Sequence, residues 1–136
     1  MHFRMFLTFN KDHATNPDEA KEYALRYLVD NNFANQNGRW GYSPADWFVI
    51  GGRWSGFFIR EKMSFATDAY ESLGGPYDAV LLTQELYDEH LKEFEDKAEC
   101  GEYEDSGHWM WVDADYDDCS KKLVDKKWLV VVDYHN

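Results

Sequence analysis

Proline is scarce in this chain (three residues), cysteine scarcer still (two), and Lys and Arg together number 14 against 26 Asp and Glu. Each shortage excludes something. Cys100 and Cys119 fit no C-x-x-C spacing and read as reduced cytosolic thiols rather than a disulfide framework. Together with His108 they make no standard zinc spacing. The net charge of −12 disfavours long-range attraction to nucleic acid or to anionic membranes. No apolar run approaches the roughly 20 residues a membrane span needs. The opening "MHFRMFLTFN" has one Arg and no cleavage-like site after its short apolar run, so a signal peptide is not expected. Neither G-x-G-x-x-G nor G-K-[ST] occurs, which removes the Rossmann and P-loop fingerprints. Repeats of solenoid length and linker-like stretches are absent too, and 136 residues suit a single domain over 1–136.

Aromatics, by contrast, make up 18% of the chain, with six Trp, nine Tyr and nine Phe. Such a load supplies large buried areas and usually leaves some rings at the surface for recognition. The charge is just as unevenly placed. Residues 85–118 hold fourteen carboxylates and only Lys92 and Lys97, a net of −12; the remaining twelve acids meet twelve bases. The whole net charge therefore sits in one quarter of the chain.

Patterning gives a coarse α+β order. "HFRMFLTF" alternates, with Phe3, Met5, Leu7 and Phe9 on one side of a strand. "NPDEAKEYALRYLVDNN" is a helix, with Asn16 as cap, Pro17 first, Glu19 at the capping-box place, and an apolar stripe of Ala20, Tyr23, Ala24, Tyr27 and Leu28. "SPADWFVIGG" reads either as a two-turn helix capped by Ser43 and stopped at Gly51, or as one arm of a Gly-Gly hairpin; the capping signals favour the helix. "RWSGFFIR" continues as a strand in both cases. "DAVLL" is a short strand, and Thr83 caps a second helix, "QELYDEHLKEFEDKA", with Tyr87, Leu91, Phe94 and Ala98 inward and carboxylates outward. "ECGEYEDSG" reads as a solvated loop, "HWMWV" as a short strand, "DADYDD" as a turn, and "KKWLVVVDYHN" as the closing strand. The β-α-β-β-α-β order predicts a ferredoxin-like sandwich, an antiparallel sheet with two helices on one face.

Four groups of residues could carry chemistry. "GRWG" at 38–41 is echoed by "GRWSG" at 52–56, and seven of the 23 residues from 38 to 60 are aromatic. Trp47, Gly51, Gly52, Arg53 and Trp54 could cradle a flat anionic ligand, the indole stacking on a base and the guanidinium pairing with phosphate. They could equally be an aromatic cluster in which the glycines turn the chain. Asp133 and His135 share one face of the last strand, as a carboxylate orienting an imidazole would. No nucleophile accompanies them, and the expected sheet would place them at the edge opposite Arg53. Asp113, Asp115 and Asp117 imitate the start of a calcium loop, but Asp118 stands where Gly is needed and Val124 where Glu is needed. Lastly, Asp88, Glu89, Glu93, Glu95, Asp96, Glu99, Glu102, Glu104 and Asp105 form either a solvated face or a ridge that imitates a phosphate backbone. Trp109 and Trp111, if exposed, would anchor such a contact.

"DWFVIGGRWSG", followed by "YDAVLL" and a terminal apolar strand ending in Asp-x-His, resembles a group of small bacteriophage and prophage proteins. These share an aromatic-x-I-G-G-R-W core and a last strand ending in Asp-Cys-His; here Tyr134 stands in the middle and Asn136 follows. The resemblance covers about a third of the chain and carries no established activity. It implies a phage or mobile-element product in the bacterial cytoplasm, with Trp47, Gly51, Gly52, Arg53, Trp54, Asp133 and His135 as the shared positions. The expectation is a non-enzymatic inhibitor, without cofactor or metal, whose acidic segment occupies the basic surface of a host defence or nucleic-acid-binding protein such as a CRISPR effector. Direct nucleic-acid or membrane binding is not expected. The alternative is a small-molecule binder that sequesters a nucleotide in the Arg-Trp-Gly-Gly pocket.

Overall fold

The computed structural model describes residues 2–31, 33, 47–58, 77–92, 103–105, 109–115 and 124–135. It is an α+β fold on a mixed sheet. The strands are β1 (His2–Asn10), β2 (Trp47–Ile50), β3 (Ala79–Leu81), β4 (Tyr103–Asp105), β5 (Trp109–Asp113) and β6 (Lys127–His135). They lie in the order β2-β6-β1-β5-β4, with β3 also paired to β6. The β1–β5 pair is parallel and the others are antiparallel.

β1 and β6 make the centre because both are apolar on both faces. Alternation sends Met5, Leu7 and Phe9 with Val130, Val132 and Tyr134 to one side, where they meet Ala20, Ala24 and Leu28 of α1 (Pro17–Asp30). It sends Phe6 with Leu129 and Val131 to the other side, where they meet Leu82, Trp111 and Leu91. Burying each large side chain contributes about 1.5–3 kcal/mol. The start of α1 follows its sequence signals. Asn16 Oδ1 accepts the Glu19 N–H at 2.9 Å, and the Glu19 carboxylate accepts from the N–H and hydroxyl of Thr15. That pairing lowers the Glu19 carboxyl below its ordinary value.

The second helix begins at Thr83, whose hydroxyl accepts the Leu86 N–H. Its first segment α2 (Gln84–Leu86) runs into a π-helical turn, Tyr87–Leu91, in which the Lys92 N–H reaches back to the Tyr87 carbonyl. Tyr87 and Leu91 face the sheet, as the apolar spacing predicts; Phe94 and Ala98 lie outside the described residues.

The fold departs from the expected ferredoxin-like sandwich in three respects. The sheet is mixed, with six strands among the described residues. The two helices cover opposite faces, because both faces of β1 and β6 are apolar and each needs a cover. And β2 lies directly against β6, not at the opposite edge. Local readings change as well. Trp47–Ile50 is a strand and not the end of a short helix: edge pairing with β6 overrides the capping pattern. Gly52–Trp54 is a 3-10 turn followed by further turns to residue 58, so "RWSGFF" is no strand. Tyr103–Asp105, expected as loop, adds antiparallel to β5. The strand at "HWMWV" forms as expected, over Trp109–Asp113.

Candidate functional site

The double glycine sits where one edge strand is interrupted. Ile50 stands opposite Val132 and Ala79 opposite Val130, so a continuous partner for β6 would place one residue opposite Val131. Two residues share that place. Gly51 gives its N–H to the Val131 carbonyl at 2.8 Å, and the Asp78 carbonyl accepts the Val131 N–H at 3.1 Å. β2 and β3 are thus collinear halves of one strand, and the chain leaves it at Gly51 and rejoins it at Asp78.

The departure is held by two buried carboxylates, Asp133 and Asp78. Gly51 has φ 74° and Gly52 has φ 53°, both in the left-handed region that glycine occupies without penalty. A Cβ on Gly52 would lie 2.6 Å from Asp133 Cβ and from Asp133 Oδ2. This closeness lets Arg53 N–H donate to Asp133 Oδ2 at 2.8 Å. At the next turn Asp78 accepts from Ser55 Oγ and from Gly56 N–H, each at 2.8 Å. The glycines therefore let the backbone approach a carboxylate of the protein itself. The sequence gives no hint that Asp78 is the second pin, except an acid placed immediately before an apolar strand.

So fastened, the segment lays its aromatic side chains over one face of the sheet. The Trp54 indole N–H donates to the Phe3 carbonyl at 3.0 Å. The Arg4 guanidinium lies 4.2 Å from the Phe57 ring centroid and 5.3 Å from those of Phe6 and Trp54, in range for cation–π attraction. Arg4 stands across from Asp133 in the β1–β6 register. Trp54 is thus half-buried over Arg4, while the Arg53 side chain is exposed. Arg4 was not legible as part of the cluster, being one polar residue in an alternating strand.

The shared motif residues do come together, against the separation expected from the sequence. Trp47 of β2 pairs with His135 and Val49 with Asp133, because β2 and β6 are neighbours. Asp133 and His135 share one face as expected, but Asp133 is fully buried and receives the Arg53 N–H.

A second polar centre lies at the far end of β1 and β5, and it takes up Asp113 and Asp115 of "DADYDD". Lys127 Nζ and Asp113 Oδ1 form a buried ion pair at 3.0 Å. Asp113 also accepts from Thr8 Oγ1 and from the Asp115 N–H, and Thr8 Oγ1 accepts the Trp111 indole N–H at 3.0 Å. Asp115 accepts the Asn10 N–H at 2.7 Å and contacts His13 Nε2 at 3.1 Å. The His13 ring stacks on Tyr23 at 4.4 Å. Burial and the neighbouring Asp115 carboxylate raise the Tyr23 phenol above its ordinary value. Asp113 and Asp115 are thus spent on internal partners; Asp117 and Asp118 lie outside the described residues. Among the described residues no three His, Cys, Asp or Glu converge on a metal position.

Of the acidic ridge, Asp88 and Glu89 are exposed on the second helix, beside exposed Glu85. Glu104 and Asp105 fall on β4. Glu93, Glu95, Asp96, Glu99 and Glu102 lie outside the described residues, as do Cys100, His108 and Cys119. Trp109 is on β5. Trp111 is only 3% exposed and bonded to Thr8, so it is a core residue and no contact anchor. No helix among the described residues is long and apolar enough to cross a membrane. Comparison with protein-family models, with curated proteins and with solved structures finds no match.

Proposed function

We propose that this chain is a non-enzymatic binding protein of phage or mobile-element origin, acting in the bacterial cytoplasm. Its acidic surface occupies the basic surface of a host defence or nucleic-acid-binding protein, a CRISPR effector being one candidate. The observation that carries this reading is the segregation of charge. Residues 85–118 hold the whole net charge of −12, and Glu85, Asp88 and Glu89 of that segment are exposed together on a helix docked to the sheet. A fixed array of carboxylates speeds and orients encounter with a cationic groove.

The Arg-Trp-Gly-Gly segment is the weaker candidate for a nucleotide. Its backbone N–H at Arg53 and the close approach at Gly52 are directed at the Asp133 carboxylate, whose charge would repel a phosphate there. The Trp54 indole covers Arg4 and spends its N–H on Phe3. The deciding experiment is a tagged capture from bacterial lysate washed in stepped salt, with proteins and small molecules identified together. A nucleic-acid-binding protein released at a few tenths molar salt, where the Debye length falls to about 3–8 Å, and lost on reversing Glu89, Glu93 and Asp96 to Lys, supports the proposal. A retained nucleotide with no protein partner overturns it.

A further inference from the structure

Among the described residues four large apolar side chains are exposed: Leu25 at 37%, Val29 at 56%, Tyr77 at 37% and Leu81 at 39%. They gather at one edge of the sheet. Leu81 ends β3, a strand of that edge, and Tyr77 stands immediately before Asp78, where the chain rejoins it. Leu81 alternates with Ala79, whose side chain is in the core beneath α1, so Leu81 points to the α1 side of the sheet. α1 itself packs against β3. Its Tyr23 flank leans on Phe9 and His13, at the β1 side. At about 100° per residue, Leu25 and Val29 fall on the opposite flank, turned toward β3. Apolar residues scattered singly over a surface are ordinary, whereas a group at one edge marks a contact.

We propose that this edge is the apolar anchor of the acidic interface. The partner is a basic protein that sets an apolar side chain against Leu81 while its cations meet the carboxylates of the second helix. The edge thus supplies, for the acidic-surface reading on which it rests, the anchor that buried Trp111 cannot be.

The chemistry of the occupant follows from the charge beside the patch. Only Leu82 and Thr83 separate Leu81 from Gln84, the first residue of α2, and Glu85, Asp88 and Glu89 are exposed on that helix. The Thr83 hydroxyl, bonded to the Leu86 N–H, fixes where the helix starts after β3. In the neighbouring turn the Asp125 N–H donates to the Leu82 carbonyl, and exposed Asp125 and Lys126 cancel one another in charge. The carboxylates of the helix therefore set the field at this edge. A second copy of the chain carries the same net charge of −12 and is repelled, while a basic partner is drawn in. Apolar contact then holds what the charges have oriented.

Two synthetic helical peptides of equal positive charge test this at low salt, one with Leu along one face between its lysines and one with Gln there. Wild type should bind the Lys–Leu peptide on the order of tenfold more tightly than the Lys–Gln peptide. Leu81→Ser should remove that difference and leave the Lys–Gln affinity unchanged. Val29→Ser, at a position more than half exposed, should reduce the difference too, which keeps the test open should Leu81→Ser not fold. Equal affinities for the two peptides, or a difference untouched by both variants, overturns the anchor and leaves the acidic surface standing. Binding of neither peptide overturns the acidic reading and the anchor with it. Sedimentation of the protein alone as a dimer that Leu81→Ser dissociates assigns the edge to a second copy and also overturns the proposal.

Discussion

Replacing Gly52 with Ala tests the geometry of the motif most severely. The position has φ 53°, where an L side chain costs about 1–2 kcal/mol. The added Cβ would also lie 2.6 Å from Asp133 Cβ and Oδ2, atoms of a side chain that is fully buried. Asp133 cannot retreat without releasing the Arg53 N–H, so relief of the overlap adds about 1–3 kcal/mol. The expected loss is about 2–5 kcal/mol, a large share of the roughly 5–15 kcal/mol that holds a domain together. For a chain of this size that corresponds to a melting temperature lower by about 6–20 °C. Urea unfolding should show a reduced midpoint with an unchanged slope. The double variant Gly52→Ala with Asp133→Ala should be less damaged than the sum of the singles, because the overlap with the carboxylate disappears while that with the position-133 Cβ remains. A single Gly52→Ala within about 0.5 kcal/mol of wild type would refute the reasoning, since that is the range of an ordinary surface change.

Three further outcomes are expected. Lys127→Met leaves Asp113 charged and buried, and should cost about 3–5 kcal/mol in denaturant unfolding; adding Asp113→Asn, which removes the orphaned charge, should recover at least about 1 kcal/mol. Arg53→Ala should stay within about 0.5 kcal/mol of wild type, because the side chain is exposed and the bond to Asp133 comes from the backbone; a panel of linear and cyclic nucleotides should raise the melting temperature of neither form. Glu19 is held below its ordinary value of 4.5 by Thr15, so its contribution to the start of α1 is present above that value and is lost as pH falls through the lowered one. Amide exchange in the first turn of α1 should show that acid loss, and Thr15→Ala should remove it.

The parts of the fold that were legible in sequence are those set by local chemistry. The alternation of β1 and the cap and stripe of α1 each follow from period and side-chain type, and each is present. Parts decided by partners at long range were not. "DWFVI" carries helix-start signals, but Trp47–Ile50 is an edge strand because β6 offers unpaired backbone beside it. "EYED" looks like solvated loop, yet its Tyr103–Asp105 pair with β5. Trp111 and Lys127 show the same limit: an aromatic in an acidic context reads as surface, and a Lys before an apolar run reads as a strand end. Both are buried in one network because Thr8 and Asp113 meet them there, across as many as 105 residues of sequence. The motif itself was half legible. Its glycines announced a close backbone approach, but only the β2–β6 pairing reveals that the approach is to Asp133.

The central claim is that partner binding is carried by the acidic surface and not by the Arg-Trp segment. The most direct measurement is the affinity of the captured partner as a function of salt, for wild type, for the triple reversal at Glu89, Glu93 and Asp96, and for Arg53→Ala. The account predicts an affinity that falls steadily with salt, a loss of at least about a hundredfold in the triple reversal (roughly 2.7 kcal/mol), and no change in Arg53→Ala. Salt-independent binding that survives the reversal but disappears in Arg53→Ala would contradict it.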